Sequence, residues 1–266
     1  MSELTEIKAL TSTTAKPSYL FYGGPGVGKT WLSALHPGKR KLWLDMDQKL
    51  DEMGNIPNRE TIEIWSPREA LGAGEIIIPW SPDPKHVEKG RLRDRSPQGF
   101  NKLVSLINEL LGLAAQGKLP YDLVVLDSLS AASEHWRSLT MYEHRVTFMT
   151  ERLWGVYLAG MTELISGFLR LPCERIVIAH EKRFLDENVK VDVIRPAVDG
   201  QLGNNLVKSF TEAYYIAGRG SDGKYRMRTV SDYVETSIGP RLTARTSNGL
   251  QPEEITGPDI FRRRNA

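Results

Sequence analysis

The chain has 266 residues, a formal net charge of +2, 40% hydrophobic residues and 26% charged residues, a composition typical of globular proteins. No apolar run reaches membrane-spanning length and the N-terminus lacks the regions of a signal peptide, so we expect a cytoplasmic protein without a membrane contact. Cys173 is the only cysteine, which excludes an intrachain disulfide, and the small net charge neither demands nor excludes a nucleic-acid partner.

A glycine-rich motif follows the first predicted strand. Residues 1–16 are polar and predict a flexible lead-in, and residues 18–22 predict a buried strand. Residues 23–30 match the Walker A pattern G-x-x-x-x-G-K-[ST], in which backbone N–H groups surround the nucleotide phosphates, Lys29 reaches the β- and γ-phosphates, and Thr30 ligates Mg²⁺. The predicted nucleotide-binding residues are Gly23, Gly24, Pro25, Gly26, Val27, Gly28, Lys29, Thr30 and Trp31.

In the next part of the chain, a clear strand is followed by an irregular segment. Residues 41–45 predict a second buried strand. Residues 51–98 contain six prolines and predict an irregular insertion, with short strands at 61–65 and 75–79. The basic run within residues 85–95 fits either a surface that binds single strands or a solvated loop.

A second motif lies between two predicted helices, at 101–115 and 150–171. Residues 120–128 form an apolar run that ends in an acid, which predicts a central parallel strand with Asp127 at its carboxyl end. Open α/β sheets bind ligands at that end of their strands. The pattern is typical of a Walker B element, in which Asp127 would hold Mg²⁺ together with Thr30.

Another buried strand, at 175–179, ends at His180. At a strand end beside the nucleotide, His180 could sense the γ-phosphate, although a lone histidine is as often structural. Residues 183–195 then predict a hairpin, because period-two alternation follows a polar turn.

The last part of the chain predicts smaller elements: a helix at 206–210 and strands at 212–217, 224–228 and 234–237. Lys224, Arg226 and Arg228 alternate on one strand, so they project from one face. This row could bind phosphates or a neighbouring subunit's nucleotide, or protect an exposed sheet edge by its charge. Residues 247–266 predict a C-terminal tail, flexible and basic from Asp259 onward.

On these motifs the chain resembles the RecA-like branch of P-loop ATPases, and most closely the phage-type AAA family that includes minimal RecA-core single-strand annealing proteins. Besides the two Walker motifs, the match includes residues 44–51, where Asp47 stands at the position of the family's catalytic glutamate, and the strand that ends at His180. The resemblance implies a single RecA-like α/β domain over residues 17–246, with a mostly parallel central sheet, flanking helices and an added C-terminal antiparallel portion.

The resemblance also implies ATP, Mg²⁺, a homo-oligomeric ring or filament, single-stranded DNA, and a partner single-strand DNA-binding protein. The implied catalytic residues are Lys29, Asp47, Asp127 and His180, with Glu181 as a second candidate base. The implied DNA-binding residues are Lys182, Arg183, Lys190 and Arg195. The residues implied to act on a neighbour's nucleotide are Lys224, Arg226, Arg228 and Arg241.

The function expected from this resemblance is an Mg²⁺-dependent ATPase that acts on single-stranded DNA in phage-type recombination or strand annealing. The side chain of Asp47 is one methylene shorter than glutamate, so hydrolysis is expected to be slow or to use another base. Two alternatives remain open: a nucleotide-gated DNA-binding module with little turnover, and a helicase loader or packaging-type ATPase.

Overall fold

The computed structural model describes residues 16–50, 53–71, 75–76, 96–186, 191–200, 202–220, 225–228, 241–242 and 259–262. Several sequence predictions lie outside the described residues: the lead-in before residue 16, the basic run within 85–95, the strand at 234–237, Lys190 and Lys224.

Eleven strands are present in the described residues. In chain order they are β1 Ser18–Gly23, β2 Lys41–Asp45, β3 Ile62–Trp65, β4 Glu75–Ile76, β5 Ser96–Pro97, β6 Leu123–Asp127, β7 Glu174–Asp186, β8 Val191–Pro196, β9 Glu212–Arg219, β10 Tyr225–Arg228 and β11 Arg241–Leu242. The central sheet has the order β10-β9-β1-β7-β6-β2-β3. Neighbours from β9 to β3 are parallel, whereas β10 is antiparallel to β9. β8 pairs antiparallel with the far part of β7 and parallel with β11, and β4 pairs with β5 in a separate small sheet.

The helices cover both faces of this sheet. They are α1 Lys29–Ala34, α2 Gly99–Ala115, α3 Leu129–Glu143, α4 Glu151–Leu169, α5 Leu202–Asn205 and α6 Asp259–Arg262, with 3-10 turns at Arg59–Thr61, Pro67–Ala70 and Leu206–Ser209. One apolar cluster packs α2, α3 and α4 on one face, and a second packs α1 and α6 on the other. Because both faces are covered, β1, β2 and β6 are buried along their whole length. The predicted mostly parallel α/β fold is confirmed.

Several elements differ from the sequence predictions, and three of them pack against the two apolar clusters. β3, predicted as a short strand inside an irregular insertion, is part of the central sheet and pairs in parallel with β2. α3 was not predicted, because its buried face consists largely of small and polar residues instead of a leucine stripe. Within the described residues, no helix is long and apolar enough to cross a bilayer.

The third difference concerns the C-terminal segment. Asp259–Arg262 forms α6, and its Ile260 and Phe261 are buried. The Phe261 ring meets the Tyr19 ring edge-on at 5.6 Å between centroids and the His36 ring at 4.8 Å. The prediction of a flexible tail is therefore wrong for these four residues, because two apolar side chains anchor them to the sheet.

We expect Phe261→Ala to lower the free energy of unfolding by about 3 kcal/mol, since it removes a buried aromatic ring and leaves a cavity. Phe148, whose side chain is 68% exposed, provides the matched control. Phe148→Ala should change the unfolding free energy by less than about 0.5 kcal/mol. Urea denaturation monitored by circular dichroism measures both, and equal effects would contradict the docking of α6.

α3 carries a histidine that the protein keeps neutral. His135 is 6% exposed, and its Nδ1 meets no hydrogen-bond partner among the described residues. Burial lowers the pKa of His135 from 6.5 to about 4, and the charge of Asp47 opposes this shift only in part. Between these two values the unfolded chain binds a proton that the folded chain does not bind, so His135 makes folding less stable as the pH falls.

His135→Leu should therefore flatten the pH dependence of stability. At pH 5 the wild type should have lost about 2 kcal/mol relative to pH 8 through this group, and the variant should not show that part of the loss. Urea denaturation of both proteins at the two pH values measures the difference. Identical pH profiles would mean that His135 is solvated or paired in the folded protein.

Candidate functional site

Four parallel strands bring the predicted site residues to one edge of the sheet. Gly23 at the end of β1 pairs with His180 on β7, and Asp127 at the end of β6 pairs with Asp45 on β2. β7 lies between β1 and β6, so His180 stands between the glycine-rich loop and Asp127. The carboxyl ends of parallel strands in an α/β sheet are where ligands bind, and this edge is therefore the candidate site.

The loop after β1 exposes backbone donors ahead of α1. Gly26 and Gly28 have φ angles of 72° and 93°, a region that non-glycine residues rarely adopt. A Cβ on Gly28 would also lie 2.7 Å from Cε1 of Tyr225, which packs over the loop. The glycine at this position thus satisfies both the backbone geometry and the close approach of a ring.

Lys29 is the cation of the site. Its ammonium donates to the carbonyl oxygens of Gly23 at 3.0 Å and Gly24 at 2.6 Å. Burial lowers the pKa of Lys29, and the negative charges of Asp127, Asp47 and Glu181 oppose this shift. Because both hydrogen bonds go to neutral carbonyls, the full charge of the ammonium can act on an anionic phosphate.

Thr30 and Asp127 form the predicted metal-binding pair. The Thr30 hydroxyl donates to Oδ2 of Asp127 at 2.7 Å, and Nε1 of Trp43 donates to the same oxygen at 3.3 Å. Burial raises the pKa of Asp127 to about 6, assisted by the negative charges of Asp47 and Asp45 and opposed by the hydrogen bonds. A buried carboxylate that other acids destabilise gains from a cation, and a hydroxyl with a carboxylate suits Mg²⁺. The residues present therefore fit this ion.

Asp47 lies opposite the loop. Its Oδ1 accepts a hydrogen bond from the Ser128 hydroxyl at 3.1 Å, and its Oδ2 is 3.6 Å from Nε2 of His180. Burial raises the pKa of Asp47, but His180, Ser128 and Lys49 together lower it below its ordinary value. An ionised carboxylate held in this way is a weak base, better suited to orient a water molecule than to remove its proton.

Glu181, the second candidate base, is held away from this position. Its Oε2 accepts from the Tyr215 hydroxyl at 2.8 Å and its Oε1 from Nε of Arg183 at 2.8 Å. Asp47 lines the pocket at the sheet edge and Glu181 does not. The geometry therefore favours Asp47.

A pocket of about 400 Å³ is lined by Lys29, Thr30, Asp47, Asp127 and His180. This volume falls within the roughly 300–1,000 Å³ that is usual for small-molecule sites. Six of its lining residues were not predicted as site residues: Asp45, Lys49, Leu50, Met53, Ile178 and Tyr225. The first four lie at or after the end of β2, Ile178 lies on β7 and Tyr225 begins β10, so tertiary packing brings them together.

The other predicted residues that the structure describes lie on the hairpin formed by β7 and β8, on β10 or on β11. Lys182 and Arg183 are exposed on β7, and Arg195 is half-buried on β8. Arg226 is exposed on β10, between two buried neighbours, as the predicted alternation requires. Arg228 ends the same strand, and Arg241 begins β11, which pairs with β8.

Comparison with known proteins agrees with this geometry. A family model described as an AAA domain matches residues 15–247. The chain belongs to the AAA domain family. This AAA domain is a P-loop ATPase domain, which implies nucleotide binding, usually with Mg²⁺.

No curated protein matches this chain. Among solved structures, it is similar to one described as a prototypical ATPase from the type III secretion system of pathogenic bacteria, at 10% sequence identity and a TM-score of 0.39. The similarity covers 76% of the present chain and 52% of the other, so the AAA domain spans about half the length of that ATPase.

Gly28→Ala should weaken ATP binding by at least about tenfold, because a left-handed φ costs about 1–2 kcal/mol for a non-glycine residue and the new Cβ would also collide with Tyr225. Gly26→Ala is the matched control, since Gly26 has a similar φ but no atom within 4 Å of the added Cβ. Titration with a fluorescent ATP analogue measures both affinities. The contact with Tyr225 is unimportant if the two variants weaken binding equally.

Proposed function

We propose that this AAA domain is an Mg²⁺-dependent ATPase that acts on single-stranded DNA, in phage-type recombination or strand annealing. The observation that carries the proposal is the position of His180. Its side chain contacts Asp47 in the nucleotide pocket, and its strand continues without interruption into the hairpin formed by β7 and β8. The nucleotide pocket and the hairpin are thus connected through His180.

The side chains of the pocket suit phosphoryl transfer to water. Lys29 would neutralise the negative charge that develops on the transferred phosphoryl group. Thr30 and Asp127 would hold Mg²⁺, which neutralises phosphate charge when it is bound. Asp47 would orient the attacking water, and its contact with His180 would change when the γ-phosphate leaves.

The hairpin supports a nucleic-acid substrate. Beyond His180, β7 leaves the parallel sheet and pairs only with β8 in the part of the chain that the structure describes. Lys182 and Arg183 are exposed there, and so is the apolar side chain of Leu185, at 57%. Proteins that bind single strands without sequence preference place positive side chains along the phosphate backbone, and Lys182 and Arg183 would supply that charge here.

Assembly into a ring or filament is part of the proposal. Arg226, exposed on β10, or Arg241 would then supply a positive charge to the nucleotide of a neighbouring subunit, as arginines do in trans in other P-loop enzymes. A single-strand DNA-binding protein is the partner expected on the same substrate.

The second candidate function is a nucleotide-gated module that binds or anneals single strands with little turnover. It is favoured by the short side chain of Asp47 and by its lowered pKa, which make it a poor base. Strand annealing measured with a non-hydrolysable ATP analogue separates the two. Full annealing activity with the analogue supports the module, and its loss supports the ATPase.

The decisive experiment is steady-state phosphate release from ATP with and without oligothymidylate, with Lys29→Ala as the blank. We expect the oligonucleotide to stimulate release in the wild type and no release in the variant. If the oligonucleotide leaves the rate of phosphate release unchanged, the proposed coupling between ATP hydrolysis and DNA binding is refuted. Nucleotide binding that survives in Lys29→Ala would refute the role of the loop.

Asp47→Asn should lower the rate of phosphate release by about 10²-fold or more, because the neutral amide cannot orient the attacking water as the charged carboxylate does. Affinity for the fluorescent ATP analogue should change by less than about threefold, since the loop and Lys29 supply most of the phosphate contacts. Asp47→Glu is the matched variant and should retain or exceed wild-type turnover. An Asn variant that hydrolyses ATP normally would exclude Asp47 from the reaction.

A further inference from the structure

Three basic side chains converge on one carboxylate at the base of the hairpin. Nη1 of Arg137 on α3 donates to Oδ2 of Asp199 at 2.8 Å, and Nζ of Lys182 on β7 is 3.7 Å from Oδ1 of the same residue. Arg195 on β8 is directly opposite Lys182 in the hairpin, which places a third cation beside this ion pair, and the charge of Asp199 acts on its guanidinium. We call these four residues the Asp199 cluster.

The register of the hairpin brings two of these cations together. Lys182 and Arg195 are directly opposite each other in the antiparallel ladder, so their side chains project from the same face. Like charges in such a pair repel each other, and the pair is stable only if a negative charge lies nearby. In the free protein Asp199 provides that charge, but three cations and one carboxylate leave a formal charge of +2 in the cluster.

The cluster is accessible from solvent. The side chains of Arg137, Lys182 and Asp199 are 40%, 49% and 21% exposed. Ion pairs with this degree of exposure contribute little to stability, about 0–1 kcal/mol, so they are easily exchanged for another anion. A phosphate group is such an anion, because its oxygens accept hydrogen bonds from a guanidinium fork and an ammonium together.

The cluster is also next to the nucleotide pocket. The carbonyl oxygen of His180 accepts a hydrogen bond from the backbone N–H of Ala197 at 2.7 Å, and the backbone N–H of His180 donates to the Ser130 hydroxyl at 2.9 Å. Lys182 follows His180 by two residues, and Asp199 follows Ala197 by two residues. Each partner of the ion pair is therefore close to one end of this backbone hydrogen bond. A shift of His180 would therefore move both partners of this ion pair.

We propose that Arg137, Lys182 and Arg195 bind a phosphodiester group of single-stranded DNA, and that the carboxylate of Asp199 occupies this phosphate site in the free protein. The inference rests on the proposed function, since it assigns the DNA contact of the same hairpin. It adds to that function a DNA contact by Arg137 on α3 and an acid of the protein, Asp199, that competes with the DNA phosphate for the same cations.

The test is the affinity for fluorescein-labelled oligothymidylate, measured by fluorescence anisotropy over a series of KCl concentrations. Arg137→Gln should weaken binding by about tenfold and reduce the slope of log K against log[KCl] by about 0.7, the value for one phosphate contact on a single strand. Asp199→Asn, which removes the competing charge with little change of shape, should strengthen binding by about fivefold.

Arg170→Gln is the matched control. Arg170 is exposed after the end of α4, before β7 begins, and so lies at the opposite edge of the sheet from the cluster. This substitution removes the same charge and should change neither the affinity nor the slope beyond the small effect of net charge. Circular dichroism melting of all variants checks that they fold.

The sign of the Asp199→Asn effect separates the proposal from a structural role. If Asp199 only holds α3 to the hairpin, the variant melts at a lower temperature and binds the oligonucleotide no better, which overturns the proposal. If the wild type binds the oligonucleotide but Arg137→Gln has the same affinity and salt slope as Arg170→Gln, the phosphate site is overturned and the DNA function is not. A wild type that binds no oligonucleotide at any salt concentration overturns the DNA function together with the site.

Discussion

The parallel register of β1, β7, β6 and β2 is the constraint on which the site depends. Backbone hydrogen bonds align the ends of these strands, and apolar layers on both faces keep the ladder rigid. The phosphate loop, the acid that would hold the metal and the histidine that leads to the hairpin are consequently neighbours before any side chain makes a contact. The geometry of the site is therefore a property of the sheet, and the loops complete it.

The electrostatics of this edge are unbalanced in the protein alone. Asp45, Asp47 and Asp127 lie close enough for the first two to raise the pKa of the third, and the ammonium of Lys29 is bonded to carbonyls. A divalent cation bound with a polyphosphate would reduce this repulsion and give Lys29 an anionic partner. Ligand binding would thus stabilise a site that is unfavourable without it, which is common where function opposes stability.

Local motifs predicted a large part of this arrangement. The phosphate loop and Asp127 are recognisable because their residues are consecutive or end a long apolar run, and the alternation after His180 identified the hairpin. The strand β3 was predicted, but the prolines around it hid its place in the central sheet. Helix α3 was missed because its buried face consists of small and polar residues. The contacts of Tyr225 with Gly28 and of Arg137 with Asp199 join distant segments, so they depend on tertiary packing that a single sequence does not reveal.

The unbroken length of β7 has a consequence for how such a chain can change in evolution. β7 runs from Glu174 to Asp186 through the sheet and into the hairpin without an intervening loop. One residue inserted just after His180 would turn every following side chain to the opposite face, separating the basic pair from its acid. Additions at the hairpin tip would leave that alternation intact. Related chains should therefore vary in the reach of the hairpin but keep the number of residues at its base.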